Sequence, residues 1–138
     1  MSDRRYLLDT NIISVVVKQP DHPLAQRLAD MARAHFCTSI VVASELRYGA
    51  YHKGSNRLIE QVEAVLEGID VLPLTTPADH HYGLIRTELA RRGQPIGHND
   101  LFIAAHARAL DLILITANLR EFQRVPGLQV ENWLNQTS

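Results

Sequence analysis

The sequence predicts an α/β fold in which a small parallel sheet is flanked by helices. Short apolar runs of the kind that form buried strands alternate with longer stretches in which apolar residues recur every three or four positions. Strands that are separated by helices pair in parallel through right-handed crossovers, so the order of the segments itself indicates the sheet. The predicted strands are 5–8, 34–38, 70–72, 112–116 and 128–131.

Helices are predicted between and after these strands. Leu24, Leu28 and Met31 are three or four residues apart, which predicts a helix over 23–34. Ser39 is a favourable N-cap for a helix that runs to Tyr51. Three more helices have recognisable ends. One opens at Ser55 or Asn56 and ends at Gly68. One has Thr76 as its cap and Pro77 as its first residue and runs through Arg92, with Gly93 after it. The last is capped by His98 or Asn99 and runs through Ala109.

Length and composition indicate one globular domain spanning 1–138. Hydrophobic residues make up 46% of the chain and charged residues 21%, which excludes a disordered or fibrous protein. The formal net charge of −1 gives no general attraction to nucleic acid, so such binding would need a local basic patch. A single Cys37, no leader-like segment and no apolar run of membrane-spanning length lead us to expect a cytoplasmic protein with no membrane partner.

Asp9 ends the first predicted strand. A buried strand that ends in Asp delivers a negative charge to the carboxyl edge of the sheet, where open α/β proteins bind their ligands. Asp is also a favoured helix N-cap, so capping of the next helix explains Asp9 equally well by itself. Other acids at the same edge would decide between the two interpretations.

Three further polar residues are placed to reach that edge. Glu45 lies within a largely apolar helix, where a carboxylate is costly to bury unless it serves a purpose; the alternative is an ion pair with Arg47 or Lys53. Asp100 lies in the first turn of the last long helix, a position that the helix dipole also favours. Asn118 follows the apolar strand 112–116, as Asp9 follows its own.

Carboxylates that converge at one edge favour a divalent cation. Two unit charges 4 Å apart repel by about 4 kcal/mol at an effective dielectric of 20, so without a metal such a cluster tends to take up a proton. Oxygen ligands favour hard ions such as Mg²⁺ or Mn²⁺. The chemistry that fits is metal-assisted hydrolysis of a phosphodiester. Zinc is disfavoured, because the seven histidines lack a recognisable ligand spacing.

These residues lie in motifs that together resemble a known family. The chain resembles PIN-domain ribonucleases, and within them the VapC toxins of bacterial type II toxin–antitoxin systems. The matching segments span nearly the whole chain in the family's order. They are LLDTN at 7–11, SIVVASELRYGA at 39–50, IRTELA at 85–90, PIGHND at 95–100 with IAAHA at 103–107, TANLREF at 116–122, and the segments 125–128 and 131–133.

The resemblance implies a compact α/β/α PIN-like fold and a Mg²⁺-dependent endoribonuclease, in which Mn²⁺ can substitute. The acids that match the family motif are Asp9, Glu45 and Asp100, with Asp9 and Asp100 as the first candidate metal ligands and Glu45 as the third. The fourth family position is often Asp but here is Asn118, which would orient water or a ligand without adding charge. We therefore expect one tightly held ion, with a second recruited by the substrate.

The resemblance also implies partners. It predicts a small VapB-like antitoxin that blocks the acidic pocket, an RNA substrate and a homodimer. The apolar run 12–17 could form a groove for such a partner or could belong to the core. The acids alone do not separate RNA from DNA, since metal-assisted hydrolysis has no need of the 2′-hydroxyl.

Four more residues are candidates for contacts with substrate or for support of the site. Thr10 and Asn11 follow Asp9 directly, His98 is close to Asp100, and Arg86 belongs to a set of basic residues that could contact phosphates. Capping of the first helix and ordinary solvated helix faces are their alternative roles. Arg120, Glu121 and Arg124 could form a set of surface ion pairs near the site, so Glu121 is only a further candidate acid.

Two other functions remain to be weighed against a nuclease. A phosphoacceptor module also places Asp at a strand end. Its dehalogenase-like version needs a second Asp where this chain has Asn11. Its receiver-like version needs an acidic pair near the first strand and a Lys after a late strand, and this sequence shows neither. A catalytically silent binding protein of the same fold would not need Asp9, Glu45 and Asp100.

Overall fold

The computed structural model describes residues 3–134; the first two and last four residues of the predicted domain lie outside the described residues. Within them lies one sheet of five parallel strands in the order β3-β2-β1-β4-β5, which confirms the predicted fold class. The strands are β1 (Tyr6–Leu8), β2 (Phe36–Ser39), β3 (Asp70–Leu72), β4 (Ile113–Ile115) and β5 (Val130–Glu131). Each lies inside or within one residue of its predicted segment.

The strand order reverses at the centre of the sheet. The chain passes from β1 outward to β2 and β3 on one side, and β4 and β5 lie on the other. Leu8 pairs with both Thr38 and Ile115, so the carboxyl ends of these three strands are level. Open α/β sheets bind ligands in the crevice at such a reversal. Here the crevice lies beyond the ends of β1 and β4.

Helices cover the sheet and are capped largely as predicted. The hydroxyl of Ser39 accepts a hydrogen bond from the amide of Val41, and that of Ser55 accepts one from Leu58. Gly54 ends its helix with φ of +65°, which only glycine adopts at low cost. The helices are α1 (Thr10–Lys18), α2 (Pro23–Asp30), α3 (Ile40–Lys53), α4 (Asn56–Glu67), α5 (Ala78–Arg91), α6 (His98–Ala109) and α7 (Leu119–Phe122).

Several helix boundaries differ from prediction, among them the end of α3, which lies at Lys53 and not at Tyr51. The helix predicted over 23–34 ends at Asp30, because the backbone at Met31 is extended and a 3₁₀ turn over Arg33–His35 leads into β2. Pro77 is not the first residue of α5: its ψ of 26° leaves it outside the helix, and it occupies the cap position that Thr76 was expected to fill. Gly97, not His98 or Asn99, caps α6. The short α7 was not predicted.

The core lies on both sides of β1. Leu7 and Leu8 are fully buried, and so are Leu114 and Ile115 of the neighbouring β4. In the apolar run 12–17, Ile12 and Ile13 are fully buried and Val17 nearly so, which places most of that run in the core. None of the helices within residues 3–134 is long and apolar enough to cross a membrane.

Candidate active site

Asp9 lies at the strand reversal and is held by three side-chain or backbone donors. It is 3% exposed. Its Oδ1 accepts a hydrogen bond of 2.8 Å from the amide of Thr10, while its Oδ2 accepts from Thr116 Oγ1 at 2.8 Å and from Asn11 Nδ2 at 3.3 Å. Asp9 is also the N-cap of α1. Both interpretations of Asp9 are therefore compatible, since capping fixes the carboxylate without taking it away from the crevice.

Burial raises the pKa of Asp9 above its ordinary value. The nearby charge of Glu45 raises the pKa further, whereas the hydrogen bonds from Thr116, Thr10 and Asn11 lower it. Burial is the largest of these effects. The charged form of Asp9 is thus costly in the protein alone and would be favoured by a nearby positive charge.

Glu45 faces the same crevice from α3. Its Oε1 accepts a hydrogen bond of 2.6 Å from Thr10 Oγ1, and its Oε2 accepts one of 3.4 Å from Asn99 Nδ2. Arg47, its proposed partner in the alternative interpretation, instead binds both carboxylate oxygens of Glu63 at 2.9 Å. Within residues 3–134, no cation pairs with Glu45.

Asp100 completes the group from the first turn of α6. Its pKa is raised to about 7, first by burial, then by a hydrogen-bonding contact with the Glu121 carboxyl and by the charges of Asp9, Glu121 and Glu45. These interactions show that elements distant in sequence bring the acids together. Within residues 3–134 none of these acids forms an ion pair, so no such pair counteracts the effect of burial on the pKa of Asp100.

Asn118 acts on Glu121 in this structure. Its Nδ2 donates a hydrogen bond of 2.8 Å to Glu121 Oε2, and its backbone amide donates one of 2.9 Å to Thr116 Oγ1. Asn118 therefore orients a fourth acid, Glu121. The expected surface ion pairs of Glu121 with Arg120 and Arg124 are not formed: Arg124 donates to the carbonyl of Pro95, and Glu121 faces Asp100.

Thr116 and Asn99 belong to the site but were not among its predicted residues. Thr116 follows β4 as Asp9 follows β1, and the pairing of Leu8 with Ile115 makes the two residues neighbours. That pairing is a feature of the fold, so no local signal in the sequence marks Thr116 as part of the site. Asn99, which donates to Glu45, carries no sequence signal beyond its place beside Asp100.

Three of the four supporting candidates lie at the acidic cleft, and the fourth does not. Thr10 and Asn11 are in the site: Thr10 binds Glu45, and Asn11 links Asp9 to the amide of Ala117 through its Oδ1 at 2.9 Å. His98 lines an open cleft of about 470 Å³ together with Glu45 and Asp100. Arg86 does not line this cleft; it lines an adjacent pocket, of which His98 is also a wall.

Comparison with known proteins identifies the family. A family model described as PIN domain matches residues 6–128. The chain belongs to the PIN-domain family. Ribonuclease VapC2 of Haemophilus influenzae is 40% identical over 131 residues, which covers 94% of this chain and 98% of that protein. The tRNA(fMet)-specific endonuclease VapC of Shigella flexneri is 41% identical over 133 residues, with the same 94% and 98% covered.

A solved structure places this PIN domain in the same group. The crystal structure of DNA-bound VapBC from Salmonella typhimurium contains a chain that superposes with a TM-score of 0.85 at 36% identity, covering 94% of this chain and 98% of that one. The resemblance inferred from the motifs is confirmed, and this PIN domain is a nuclease of the VapC group.

The donor set of the PIN domain fits a hard divalent ion. Within residues 3–134, no group of three or more His, Cys, Asp or Glu residues could hold a metal ion on protein ligands alone. An ion bound here would therefore need water or substrate phosphate as further ligands, and Mg²⁺ commonly binds to one or two carboxylates in that way. The raised pKa of Asp100 follows from burial and from the neighbouring acids, and a cation bound among them would favour the charged carboxylate.

Proposed function

We propose that this PIN domain is a Mg²⁺-dependent endoribonuclease and the cytoplasmic toxin of a toxin–antitoxin pair. The observation that carries the proposal is the buried or half-buried group of Asp9, Glu45, Asp100 and Glu121 at the strand reversal, with no cation paired to Glu45 within residues 3–134. Such a group is costly unless a cation joins it.

Each residue has a defined part in this proposal. Asp9 and Asp100 would bind the ion, with Glu45 as the third candidate ligand. The ion, Mg²⁺ or Mn²⁺, would lower the pKa of a water molecule and would stabilise charge on the phosphate and the leaving oxygen. Thr116 and Asn11 hold the carboxylate of Asp9, and Thr10 holds that of Glu45. Asn118 orients Glu121, which lies beside Asp100 and helps to raise the pKa of that carboxyl.

RNA as the substrate is supported by the relatives. The Haemophilus influenzae protein is named a ribonuclease, and the Shigella flexneri protein is named a tRNA(fMet)-specific endonuclease. Metal-assisted hydrolysis at the acidic group does not require the 2′-hydroxyl of RNA. A test on matched RNA and DNA strands is therefore part of the experiment.

The proposed partner is a small VapB-like antitoxin. The Salmonella typhimurium structure is a VapBC complex, as is one from Rickettsia felis at 34% identity. A groove of about 220 Å³ leads from Thr10 and Glu45 between α1, α3 and α4, past Val17, Leu46 and Leu58. An antitoxin segment lying there would reach Glu45 directly and block the site. We also propose a homodimer, which light scattering on the purified protein would test.

The decisive experiment is cleavage of RNA by purified protein with and without a divalent ion. We expect activity in Mg²⁺ or Mn²⁺, loss in EDTA, and loss by at least about 100-fold in Asp9→Asn and Asp100→Asn. Asp21→Asn, at an exposed carboxylate far from α6 in sequence, is the matched control and should cleave like wild type. Full activity in either site variant would refute the assignment.

A growth assay tests the toxin role separately. Expression of wild type should arrest growth, expression of Asp9→Asn should not, and an adjacent antitoxin gene should restore growth. Healthy growth despite soluble protein with nuclease activity in vitro would contradict the toxin role and leave the nuclease intact.

A further inference from the structure

A second pocket opens beside the acidic cleft, between α5 and α6. Its volume is about 210 Å³. Its floor is apolar, formed by the buried side chains of Leu89, Ile96 and Leu101, and its rim carries Arg86 and His98. Pockets for larger ligands run from roughly 300 to 1,000 Å³, so this one suits a single ring system.

Arg86 is held in place by a neutral group. Its Nη1 donates a hydrogen bond of 3.0 Å to the hydroxyl of Tyr82, whose ring stacks on Phe102 at 4.5 Å between centroids. Within residues 3–134, Arg86 makes no ion pair with a carboxylate. The guanidinium is therefore positioned while keeping its charge and most of its donors available for an anion.

His98 connects this pocket to the acids. It lines both the pocket and the cleft that contains Glu45 and Asp100. A polynucleotide whose phosphate enters the cleft would carry its neighbouring nucleotide past His98. The next cavity that the nucleotide meets has an apolar floor and a cationic rim, which are the two features that a base and a phosphate require.

We propose that this pocket binds the base of a nucleotide next to the cleaved bond, and that Arg86 contacts a phosphate of that nucleotide. The proposal rests on the proposed nuclease function and adds a determinant of substrate choice to it. A base can enter only when it is out of its stack, so the pocket selects unpaired nucleotides over duplex. Loss of one base contact of this kind costs roughly 5- to 150-fold.

The test combines a filled pocket with a substrate that lacks the base. Ala90 is exposed on α5 and lines the pocket one turn after Arg86, so Ala90→Leu fills the space without removing charge. Thr87→Leu is the matched control, because Thr87 is exposed on the same helix but outside the pocket. The probes are a short RNA that wild type cuts at one bond and a set of copies with one abasic nucleotide on either side of that bond.

We expect wild type and Thr87→Leu to cut one of the abasic RNAs at least about tenfold more slowly than the complete RNA. Ala90→Leu should cut both RNAs at the same reduced rate, since its pocket no longer accepts a base. Equal abasic penalties in wild type and Ala90→Leu would overturn the proposal. So would a change of oligomeric state in Ala90→Leu without a change in the abasic penalty, which would mark the pocket as a protein contact.

Arg86 is tested by the salt dependence of binding and by KM. Arg86→Ala should raise KM with little change in kcat. It should also reduce the slope of log RNA affinity against log salt concentration by the amount expected for about one phosphate contact. Arg91→Ala, at an exposed residue of the same helix, should do neither. An unchanged KM in Arg86→Ala would overturn the phosphate contact. Absence of any RNA cleavage by wild type would instead refute the nuclease proposal, so the two failures are distinguishable.

Discussion

The hydroxyl of Thr116 donates a hydrogen bond of 2.8 Å to Oδ2 of Asp9, across 107 residues of sequence. The two residues follow adjacent parallel strands, and the same hydroxyl accepts the amide of Asn118. Thr116 thus joins the first acid of the site to the turn that carries Asn118 and Glu121. A buried carboxylate depends on such donors for its charged state.

Replacement of this hydroxyl should therefore weaken metal-dependent activity. Thr116→Val keeps the shape but removes the donor, which raises the pKa of Asp9 further; we expect about 10- to 100-fold lower activity and a higher Mg²⁺ requirement. Thr116→Ser should retain most activity, because the hydroxyl remains. Mg²⁺ titrations of the cleavage rate measure both. A Thr116→Val enzyme with a normal Mg²⁺ requirement would show that this bond only stabilises the fold.

The sequence made the acids predictable but not their supports. Asp9 and Asp100 are recognisable because a strand end and a helix start are local features. Thr116 and Glu121 depend on which strands are neighbours and on the orientation of a four-residue helix, neither of which has a local signature. The cap of α6 was predicted one or two residues late for a similar reason: Gly97 caps it with no side-chain hydrogen bond, so the usual polar cap is missing.

The pKa of about 7 at Asp100 predicts an unusual pH dependence of stability in EDTA. An unfolded Asp releases its proton near its ordinary pKa of 3.8, whereas folded Asp100 keeps it until about pH 7. The folded state therefore binds more protons between these values, and this contribution to stability falls as pH rises through the window. Asp100→Asn mimics the protonated form and should become the more stable protein above pH 7.

Thermal midpoints of the two proteins measure this effect. The comparison with Asp100→Asn is needed because His106, whose pKa is lowered by burial, makes the opposite contribution and destabilises the fold as pH falls. Mg²⁺ should raise the midpoint of wild type more at pH 8 than at pH 6, and that of Asp100→Asn little at either pH. Identical pH profiles for the two proteins would disprove the raised pKa of Asp100.

Cys37 should react very slowly with thiol reagents in the native protein. Its side chain is fully buried in β2, and burial raises its pKa to about 12, so the reactive thiolate is scarce at neutral pH. We expect a thiol reagent to modify it at least about 1,000-fold more slowly than in urea-unfolded protein. Because it is the single cysteine of the chain, the labelling rate reports opening of the sheet at one site.

The same thiol gives a reading of metal binding that does not depend on activity. Mg²⁺ should slow Cys37 labelling in wild type, since a ligand of the folded state lowers the open population, and should leave Asp9→Asn unaffected. Rapid labelling of native wild type would show that β2 opens locally, and equal Mg²⁺ effects in the two proteins would show that the ion binds elsewhere.

Gly49 is exposed within α3, and a Cβ built there would meet no atom within 4 Å, so nothing in this chain requires a glycine. Alanine is more favourable than glycine inside a helix by about 0.5–1 kcal/mol, and Gly49→Ala should be more stable by that amount in urea unfolding. Gly83, equally open within α5, is the matched control and should gain a similar amount.

The two glycines differ in position: Gly49 lines the groove beside Glu45, where a partner segment would approach the backbone closely. Gly49→Ala should therefore weaken antitoxin affinity measured by calorimetry while Gly83→Ala leaves it unchanged. Equal affinities in both variants would exclude close backbone contact in this groove.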